Sequence, residues 1–177
     1  MTCTIDEKQI EKTIEFHGHN CPGLTIGIRA AELALTHLDA GSKTDWVCVT
    51  ETDMCGVDAI QFLTGCSFGK GNLIHKDFGK SAFTFFDRTA QKGFRALFND
   101  GMTKNADREA RIKQLLETEL TDLFTVEEIE TPPVRPAKIL KSIPCSQCNE
   151  MTMESRIRLF DGQQFCMPCF EMVEQKI

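Results

Sequence analysis

The chain has 177 residues, of which 41% are hydrophobic, and a formal net charge of −6. This length suits one ordinary domain with a small appendage, and the apolar content is enough for a buried core. The acidic balance makes nucleic acid an unlikely partner, because proteins that bind it usually carry a basic surface. No apolar run approaches the length of a membrane span, so we expect no membrane association.

Nine cysteines favour metal binding over disulfide formation. The first residues are polar and lack the apolar stretch of a secretory signal, so a cytoplasmic location is expected. Thiols stay reduced in that compartment, where clusters of cysteines more often bind metal than pair with one another. An odd number of cysteines also argues against a fully paired set.

The first predicted element is a helix that opens with a capping box, Thr4-Ile5-Asp6-Glu7. Gly18 is expected to end this helix in a left-handed conformation, and Pro22 suits the first turn of the next helix. Cys21 therefore lies at or beside an N-cap. Free N–H groups and the positive helix end favour the thiolate there.

Three potential metal ligands lie at the corner between these helices: His17, His19 and Cys21. A single residue of either kind is usually structural, since cysteine often fills a core and histidine often caps a helix. Their close spacing at a capped corner favours a metal or reactive site instead.

The second helix is predicted over 24–38 from its apolar stripe. Arg29 interrupts this stripe, and we expect it to face solvent or join an ion pair rather than clamp an anion. Alternating β-branched residues predict a strand over 45–51. Cys55 follows in the turn before a short helix, and we expect the same thiolate-favouring surroundings as at the first corner.

The segment from Gly65 to Asn72 is rich in glycine and contains Lys70. Its spacing does not match a phosphate-binding loop. Two interpretations stay open. Backbone N–H groups around Gly69 and Gly71 can bind an anion, or the glycines serve a tight loop that needs left-handed residues.

Further strands are predicted at 73–75, 81–87, 94–98 and 124–129. Turns are expected at 76–80 and 91–93, and Asn105 is the predicted N-cap of a helix before the last strand. The pattern predicts an α+β fold with a mainly antiparallel sheet flanked by helices, in a core domain of residues 1–130.

Pro132, Pro133 and Pro136 indicate a linker arm at 131–142, because proline interrupts helices and sheet ladders. The remaining segment, 143–177, contains two Cys-x-x-Cys pairs separated by 17 residues. The four residues are Cys145, Cys148, Cys166 and Cys169. This spacing is typical of a structural zinc site with four thiolates.

Between these pairs the sequence predicts a hairpin that turns at Asp161-Gly162. A helix over 170–176 is expected to start inside the second pair. The order of elements predicts a small treble-clef or ribbon-like zinc finger. A segment of this size could hardly fold without its metal.

Three stretches of the core resemble the FmdE family, which takes its name from a component of formylmethanofuran dehydrogenase. They are Phe16 to Gly23, Cys55-x-x-Asp58-Ala59-Ile60-Gln61, and Thr64 to Asn72. Members of that family also carry a C-terminal zinc finger. The resemblance implies an association with a molybdenum or tungsten enzyme that handles one-carbon units, and hence a possible oxidoreductase subunit.

The resemblance further implies a polar site of His17, His19, Cys21 and Cys55, in which we predict a second metal, zinc or iron. For an enzyme or accessory subunit, the predicted catalytic residues are Cys21, Cys55, Asp58 and Lys70. The predicted contacts to a small-molecule or pterin-type cofactor are Cys66, Gly69, Lys70 and Gly71. The alternative is a binding module, in which the core senses a ligand and the finger recognises a protein or nucleic acid.

We also predict a twofold homodimer in which the finger packs against the partner near its His-Cys corner, because the arm is long enough to reach a neighbour. Dehydrogenase subunits are further candidate partners. A monomer is the alternative, since helical stripes more often face an internal core.

Overall fold

The structure, a computed structural model, describes residues 2–38, 40–102, 107–133 and 139–173. The chain forms two compact units, Met1–Arg135 and Pro136–Ile177. The predicted arm at 131–142 is described only in part, and Ser142 at its end already belongs to a strand of the second unit. Within the described ranges, no helix is long and apolar enough to cross a membrane.

The N-terminal unit combines helices with one five-stranded sheet. The helices are α1 (Glu7–His17), α2 (Pro22–His37), α3 (Gly56–Thr64), α4 (Arg108–Glu117) and α5 (Leu120–Leu123). The strands are β1 (Trp46–Thr50), β2 (Leu73–His75), β3 (Ala82–Asp87), β4 (Lys92–Phe98) and β5 (Phe124–Ile129).

The strands lie in the order β2-β1-β3-β4-β5. β1 pairs parallel with β2, whereas the β1–β3, β3–β4 and β4–β5 pairs are antiparallel. The predicted α+β fold with a mainly antiparallel sheet is therefore confirmed. β2 and β3 are consecutive in sequence but are not neighbours in the sheet. After β1 the chain crosses over through α3 and adds β2, parallel to β1, at the outer edge, while β3 pairs with the other side of β1.

The main core lies between one face of this sheet and helices α2 and α3. Trp46, Phe85 and Phe94 of the sheet and Leu33 and Ile60 of the helices are at most 2% exposed. Burial of side chains of this size contributes about 1.5–3 kcal/mol each, so this layer holds the helices on the sheet.

A second apolar cluster joins α1 to α2 and α3. Leu24 and Ile28 of α2 and Ala59 of α3 belong to it, and Ile14 of α1 packs against it. Cys21 lies in the same cluster, so packing on both helices fixes the corner that follows α1.

The predicted N-cap of α1 is wrong by two residues. Asp6 is the N-cap and accepts a hydrogen bond from the Lys8 N–H at 2.9 Å. Thr4 instead donates from its backbone N–H and its hydroxyl to Glu32 Oε1, at 2.6 and 2.9 Å. A contact that is distant in sequence therefore overrides the local capping preference of the threonine.

Two further boundaries differ from the prediction. Asp107 caps α4 and accepts a hydrogen bond from the Ala110 N–H at 2.9 Å, while the predicted cap, Asn105, lies outside the described residues. β4 begins at Lys92, two residues early, and Gly93 lies within it. A Cβ on Gly93 would lie 2.3 Å from the Phe85 carbonyl oxygen, so this glycine permits close strand pairing rather than a turn.

Arg29 is buried, and the expectation that it faces solvent is wrong. It is 1% exposed, and its Nη1 lies 3.2 Å from Glu32 Oε2. Its guanidinium also donates to the carbonyl oxygens of Leu116 and Thr118, at 3.2 and 2.7 Å. The ion-paired alternative is confirmed, and the pair connects α2 to the end of α4.

We expect Glu32→Gln to lower the free energy of unfolding by about 3–5 kcal/mol, because the Arg29 guanidinium then stays buried without its charged partner. The side-chain amide of the glutamine still offers an oxygen that accepts from Thr4, so the substitution mainly removes the negative charge of Glu32. Urea unfolding followed by circular dichroism measures the difference. Glu11→Gln, at an exposed position of α1, is the control. Equal stability of the two variants would contradict the prediction.

The C-terminal unit consists, in its described part, of two hairpins followed by a short helix. β6 (Ser142–Pro144) pairs with β7 (Met151–Met153), and β8 (Ile157–Phe160) pairs with β9 (Gln163–Cys166). The second hairpin turns at Asp161 and Gly162, which both have positive φ, as predicted.

Helix α6 (Met167–Glu171) starts inside the second Cys-x-x-Cys pair. It begins earlier than the predicted helix at 170–176, and residues 174–177 lie outside the described part of the chain. The succession of knuckle, hairpin, second knuckle and helix is the predicted finger architecture.

Candidate metal centre and adjoining cavity

His17, His19, Cys21 and Cys55 meet at one corner of the N-terminal unit and form the core cluster. One potential ligand atom from each lies within 4.8 Å of the others, and His17 Nε2 lies 4.0 Å from Cys21 Sγ. Bond lengths of about 2.0–2.3 Å place the ligand atoms of a tetrahedral zinc ion roughly 3.6 Å apart. The residues therefore fit a tetrahedral metal ion after only a small contraction.

Two helix starts bring the two thiols of the core cluster together. Cys21 is the N-cap of α2, and its Sγ accepts a hydrogen bond from the Leu24 N–H at 3.3 Å. Cys55 occupies the N-cap position of α3. Gly18, with φ 91°, ends α1 in the predicted left-handed conformation, so the chain turns from α1 into the cluster.

Glycines allow α2 and α3 to approach closely enough for this arrangement. A Cβ on Gly27 would lie 2.1 Å from the Gly56 carbonyl oxygen, and one on Gly23 would lie 3.3 Å from Cys55 Cβ. A larger residue at Gly27 would force the backbones of the two helices apart. The close approach therefore sets the separation of the two thiols.

Asp58 orients the imidazole of His17. Its Oδ2 lies 2.7 Å from His17 Nδ1, and its Oδ1 accepts a hydrogen bond from Gln61 Nε2 at 3.4 Å. A proton on Nδ1 satisfies this contact and leaves Nε2 free for a metal ion, an arrangement common among metal-binding histidines. In this geometry Asp58, a predicted catalytic residue, acts through His17.

The four side chains of the core cluster differ in exposure. Cys21 is buried, His17 and Cys55 are partly buried, and His19 is exposed. The rings of His17 and His19 lie 4.4 Å apart between centroids. In a bound site His19 would thus be the ligand most easily displaced, and three enclosed ligands with one exchangeable position would suit chemistry better than a purely structural role.

Cys55 lacks the electrostatic support that its position before a helix suggested. Its side chain makes no capping hydrogen bond. Burial, followed by the neighbouring Cys21 thiol, raises the pKa of the Cys55 thiol. The predicted position of Cys55 before a helix is therefore confirmed, whereas the predicted preference for its thiolate has no support from the protein's own groups. A bound cation is what would favour the thiolate at Cys55.

A cavity of about 420 Å³ opens beside the core cluster. His17, Cys55 and Asp58 line it on the side of the cluster, and Thr50 and His75 line it at the carboxyl ends of β1 and β2. β1 has a parallel neighbour on one side and an antiparallel neighbour on the other. The cavity thus lies where two parallel strands end side by side, next to the loops that often carry functional residues.

Sequence reasoning assigned no chemistry to Thr50 or His75. Each ends a strand, and a polar residue at a strand end was the available signal. Their proximity arises from the parallel pairing of β1 with β2, in which they are register partners. Nothing local in the sequence reveals that pairing.

Cys66, predicted to contact a cofactor, is placed elsewhere. It is fully buried, and its thiol donates to the Trp46 carbonyl oxygen at 3.8 Å. Burial raises the pKa of this thiol. The predicted contact between Cys66 and a cofactor is therefore corrected to a role in the core. A sulfur enclosed there cannot touch a ligand in the cavity.

Lys70 also lies away from the residues that line the cavity. Its Nζ donates to the Gly65 carbonyl oxygen at 2.8 Å, and it lines a different pocket together with Lys43 and Phe62. Its predicted catalytic role at the core cluster therefore has no support from the geometry. Gly69 and Gly71 lie in an exposed turn, where their binding of an anion stays a prediction.

The finger holds a second group of potential ligands, Cys145, Cys148, Cys166 and Cys169, whose sulfurs lie within 4.8 Å of one another. Cys148 Sγ and Cys166 Sγ are 3.9 Å apart, close to the roughly 3.8 Å of a tetrahedral zinc–thiolate site. Backbone N–H groups of Cys148 and Cys166 lower the pKa of Cys145 to about 6. The hydrogen bond with Cys166, followed by burial, raises the pKa of Cys169 to about 12.

Comparison with protein families identifies both units. Residues 16–131 match the FmdE family, described as "FmdE, Molybdenum formylmethanofuran dehydrogenase operon". Residues 138–175 match the prokaryotic dksA/traR C4-type zinc finger. Both resemblances seen in the sequence are confirmed, and the second match together with the four clustered thiols indicates zinc in the finger.

One relative is a probable S-adenosyl-L-methionine-binding protein of Archaeoglobus fulgidus, which is 30% identical over 88% of this chain and 50% of that protein. The chain thus spans about half the length of that curated relative. A solved structure of a tungsten formylmethanofuran dehydrogenase FmdE-like protein from Syntrophus aciditrophicus superposes with a TM-score of 0.69 at 24% identity. The superposition covers 96% of this chain and 94% of that chain, and the likeness is one of fold.

Proposed function

The chain belongs to the FmdE family, and from that membership we propose that its N-terminal unit is a metal protein that acts on a small molecule beside the core cluster. One observation carries this proposal: His17 and Cys55 belong to the group of four potential ligands and also line the cavity of about 420 Å³. A ligand in the cavity would therefore touch the surroundings of the metal.

Zinc or iron suits the mixed nitrogen and sulfur donors of the core cluster. Such an ion would supply Lewis-acid activation of a substrate oxygen or of water. Cys21 and Cys55 would supply thiolates, while His17 would bind through Nε2. Asp58 would hold the proton on His17 Nδ1 throughout, and exposed His19 would yield its position to an incoming ligand.

The family's description refers to a formylmethanofuran dehydrogenase operon. This supports a role in one-carbon chemistry, either as an enzyme or as an accessory subunit of a molybdenum or tungsten dehydrogenase. The homodimer and the association with dehydrogenase subunits stay predictions, as does the cytoplasmic location.

A second candidate is a ligand-binding module without turnover. The relative from Archaeoglobus is named a probable S-adenosyl-L-methionine-binding protein. In this chain Asp53 and Asp58 line the cavity together with apolar Met54 and Phe68. Carboxylates attract a sulfonium cation, and apolar walls suit an adenine ring. Saturable binding of that compound without conversion would favour this candidate.

The proposed metal site is tested by metal content. We expect purified wild-type protein to contain about two metal ions per chain, one in the finger and one in the core cluster. Cys55→Ser is expected to lower this to about one, because a serine hydroxyl is a poor ligand in place of a thiolate. Inductively coupled plasma mass spectrometry measures the metal and quantitative amino-acid analysis measures the protein, which together give the number of ions per chain.

Cys66→Ser is the matched control, because Cys66 belongs neither to the core cluster nor to the residues that line the cavity. It should retain both ions. A wild-type ratio near one, or an unchanged ratio in Cys55→Ser, would refute the core metal site.

A further inference from the structure

Two residues that line the cavity beside the core cluster, Thr50 and His75, each carry a buried polar atom without a protein partner. Thr50 is 0% exposed, and its Oγ1 makes no hydrogen bond to any residue that the structure describes. His75 Nε2 is likewise enclosed and without a partner in that part of the chain. Buried polar atoms are nearly always paired, so two such atoms in one cavity point to a ligand.

These two atoms belong to neighbouring positions of the sheet. Thr50 and His75 are register partners in the parallel pair β1–β2. Neighbouring strands lie about 4.8 Å apart, and paired residues project to the same face. A single ligand atom can therefore meet both side chains. A threonine hydroxyl can donate, and so can His75 Nε2 in the tautomer that carries its proton there, so an acceptor oxygen of a ligand would complement both atoms.

The charges around the cavity favour an oxygen without formal charge. Asp53 and Asp58 line the cavity, and its lining contains no lysine or arginine among the described residues. The thiolates of Cys21 and Cys55 would balance the charge of a divalent ion in the core cluster, so a carboxylate or phosphate in the cavity would face these acidic groups without a net positive partner. Met54, Val57 and Phe68 supply apolar walls that suit the carbon atoms of a ligand.

We propose that this cavity binds a small uncharged carbonyl compound, an amide or aldehyde, whose oxygen accepts hydrogen bonds from Thr50 Oγ1 and His75 Nε2. This assignment deepens the proposed function and rests on it, because it names the class of substrate that lies beside the core cluster. Thr50 and His75 are binding residues for the carbonyl oxygen, while His17 and Cys55 line the same cavity as members of the core cluster.

The test compares acetamide with acetate, which have nearly the same shape and differ in charge. Full-length zinc-loaded protein with 15N-labelled histidine is titrated with each compound. The ring signals of His75, assigned with a His75→Gln variant, are followed by NMR. We expect acetamide to shift these signals in a saturable way and acetate to bind at least tenfold more weakly.

Thr50→Val removes the hydroxyl at nearly constant volume and should weaken acetamide binding about tenfold, the effect of one lost hydrogen bond. Thr50→Ser keeps the hydroxyl and should bind as wild type does, which guards against a mere folding defect. Thr84→Val, another buried threonine of the sheet that is absent from the cavity lining, is the control and should leave binding unchanged.

Tighter binding of acetate, absence of saturable shifts with acetamide, or equal affinity of Thr50→Val and wild type would each overturn the assignment. Metal content is measured on the same samples. A missing core metal refutes the proposed function. Because neither Thr50 nor His75 belongs to the core cluster, acetamide binding that depends on Thr50 would still support the ligand class in that case.

Discussion

Replacing Gly27 by alanine is expected to destabilise the N-terminal unit by more than about 4 kcal/mol and to abolish metal binding at the core cluster. The added Cβ would lie 2.1 Å from the carbonyl oxygen and 2.4 Å from the Cα of Gly56. Both atoms are backbone, so no side chain can rotate away. Relief of the clash requires α2 and α3 to separate.

Separation of these helices would act directly on the metal site. Cys21 and Cys55 lie at the N-caps of the two helices, and a metal site tolerates only about ±0.2 Å in its bond lengths. In an exposed helix interior, the same substitution would stabilise the helix by about 1 kcal/mol. Whether Gly27→Ala lowers or raises the stability of the protein therefore distinguishes a close contact between the helices from ordinary helix propensity.

Thermal unfolding and metal content together measure both parts of this prediction. Gly69→Ala is the matched control, because a Cβ at that position meets no atom within 4 Å. It should leave the melting temperature and the metal ratio near the wild-type values. A Gly27→Ala protein that melts like wild type and keeps its second metal ion would show that the helices do not approach as described.

Loss of one thiolate from the finger is expected to unfold that unit and leave the N-terminal unit folded. The apolar cluster of the finger is small, with Phe165 and three of the four cysteines as its buried members and Phe160 and Phe170 packed against it. Zinc binding contributes about 10–16 kcal/mol to the folding of zinc-finger peptides at pH 7, far more than such a cluster supplies.

Cys169→Ser tests this expectation in the full-length chain. Amide signals from the finger should collapse to the random-coil region of the 1H–15N NMR spectrum, while the dispersed signals of the N-terminal unit remain. Cys66→Ser, which leaves all four finger thiols in place, should keep both sets of signals. A finger that stays folded in Cys169→Ser, or after zinc is chelated, would contradict a structural role for the metal.

Features that depend on residues a few positions apart could be predicted from the sequence. Gly18 ends α1, Cys21 caps α2, and Asp161-Gly162 turns the finger hairpin, each through backbone preferences of the residue itself or its near neighbours. The zinc finger was predictable for the same reason, since each Cys-x-x-Cys pair supplies two ligands from one turn.

Errors arose where a side chain meets a partner that is distant in sequence. Thr4 was expected to cap a helix, but it binds Glu32. For Arg29 the sequence left a solvent-facing position and an ion pair open, and only the tertiary structure shows the buried pair with Glu32 at the end of α4. Cys66 was expected near a ligand, but the core encloses it. Local propensities carry no information about such contacts.

The sequence by itself therefore determined the kinds of chemistry in this protein: a His-Cys corner, a second cysteine before a helix and a finger with four thiols. Only the tertiary structure decided how they combine. The Gly27–Gly56 contact brings Cys55 to the corner, and the parallel β1–β2 pairing sets Thr50 beside His75. Helix packing and strand pairing join residues far apart in the chain, and the free energy that selects these contacts comes from burying the whole core.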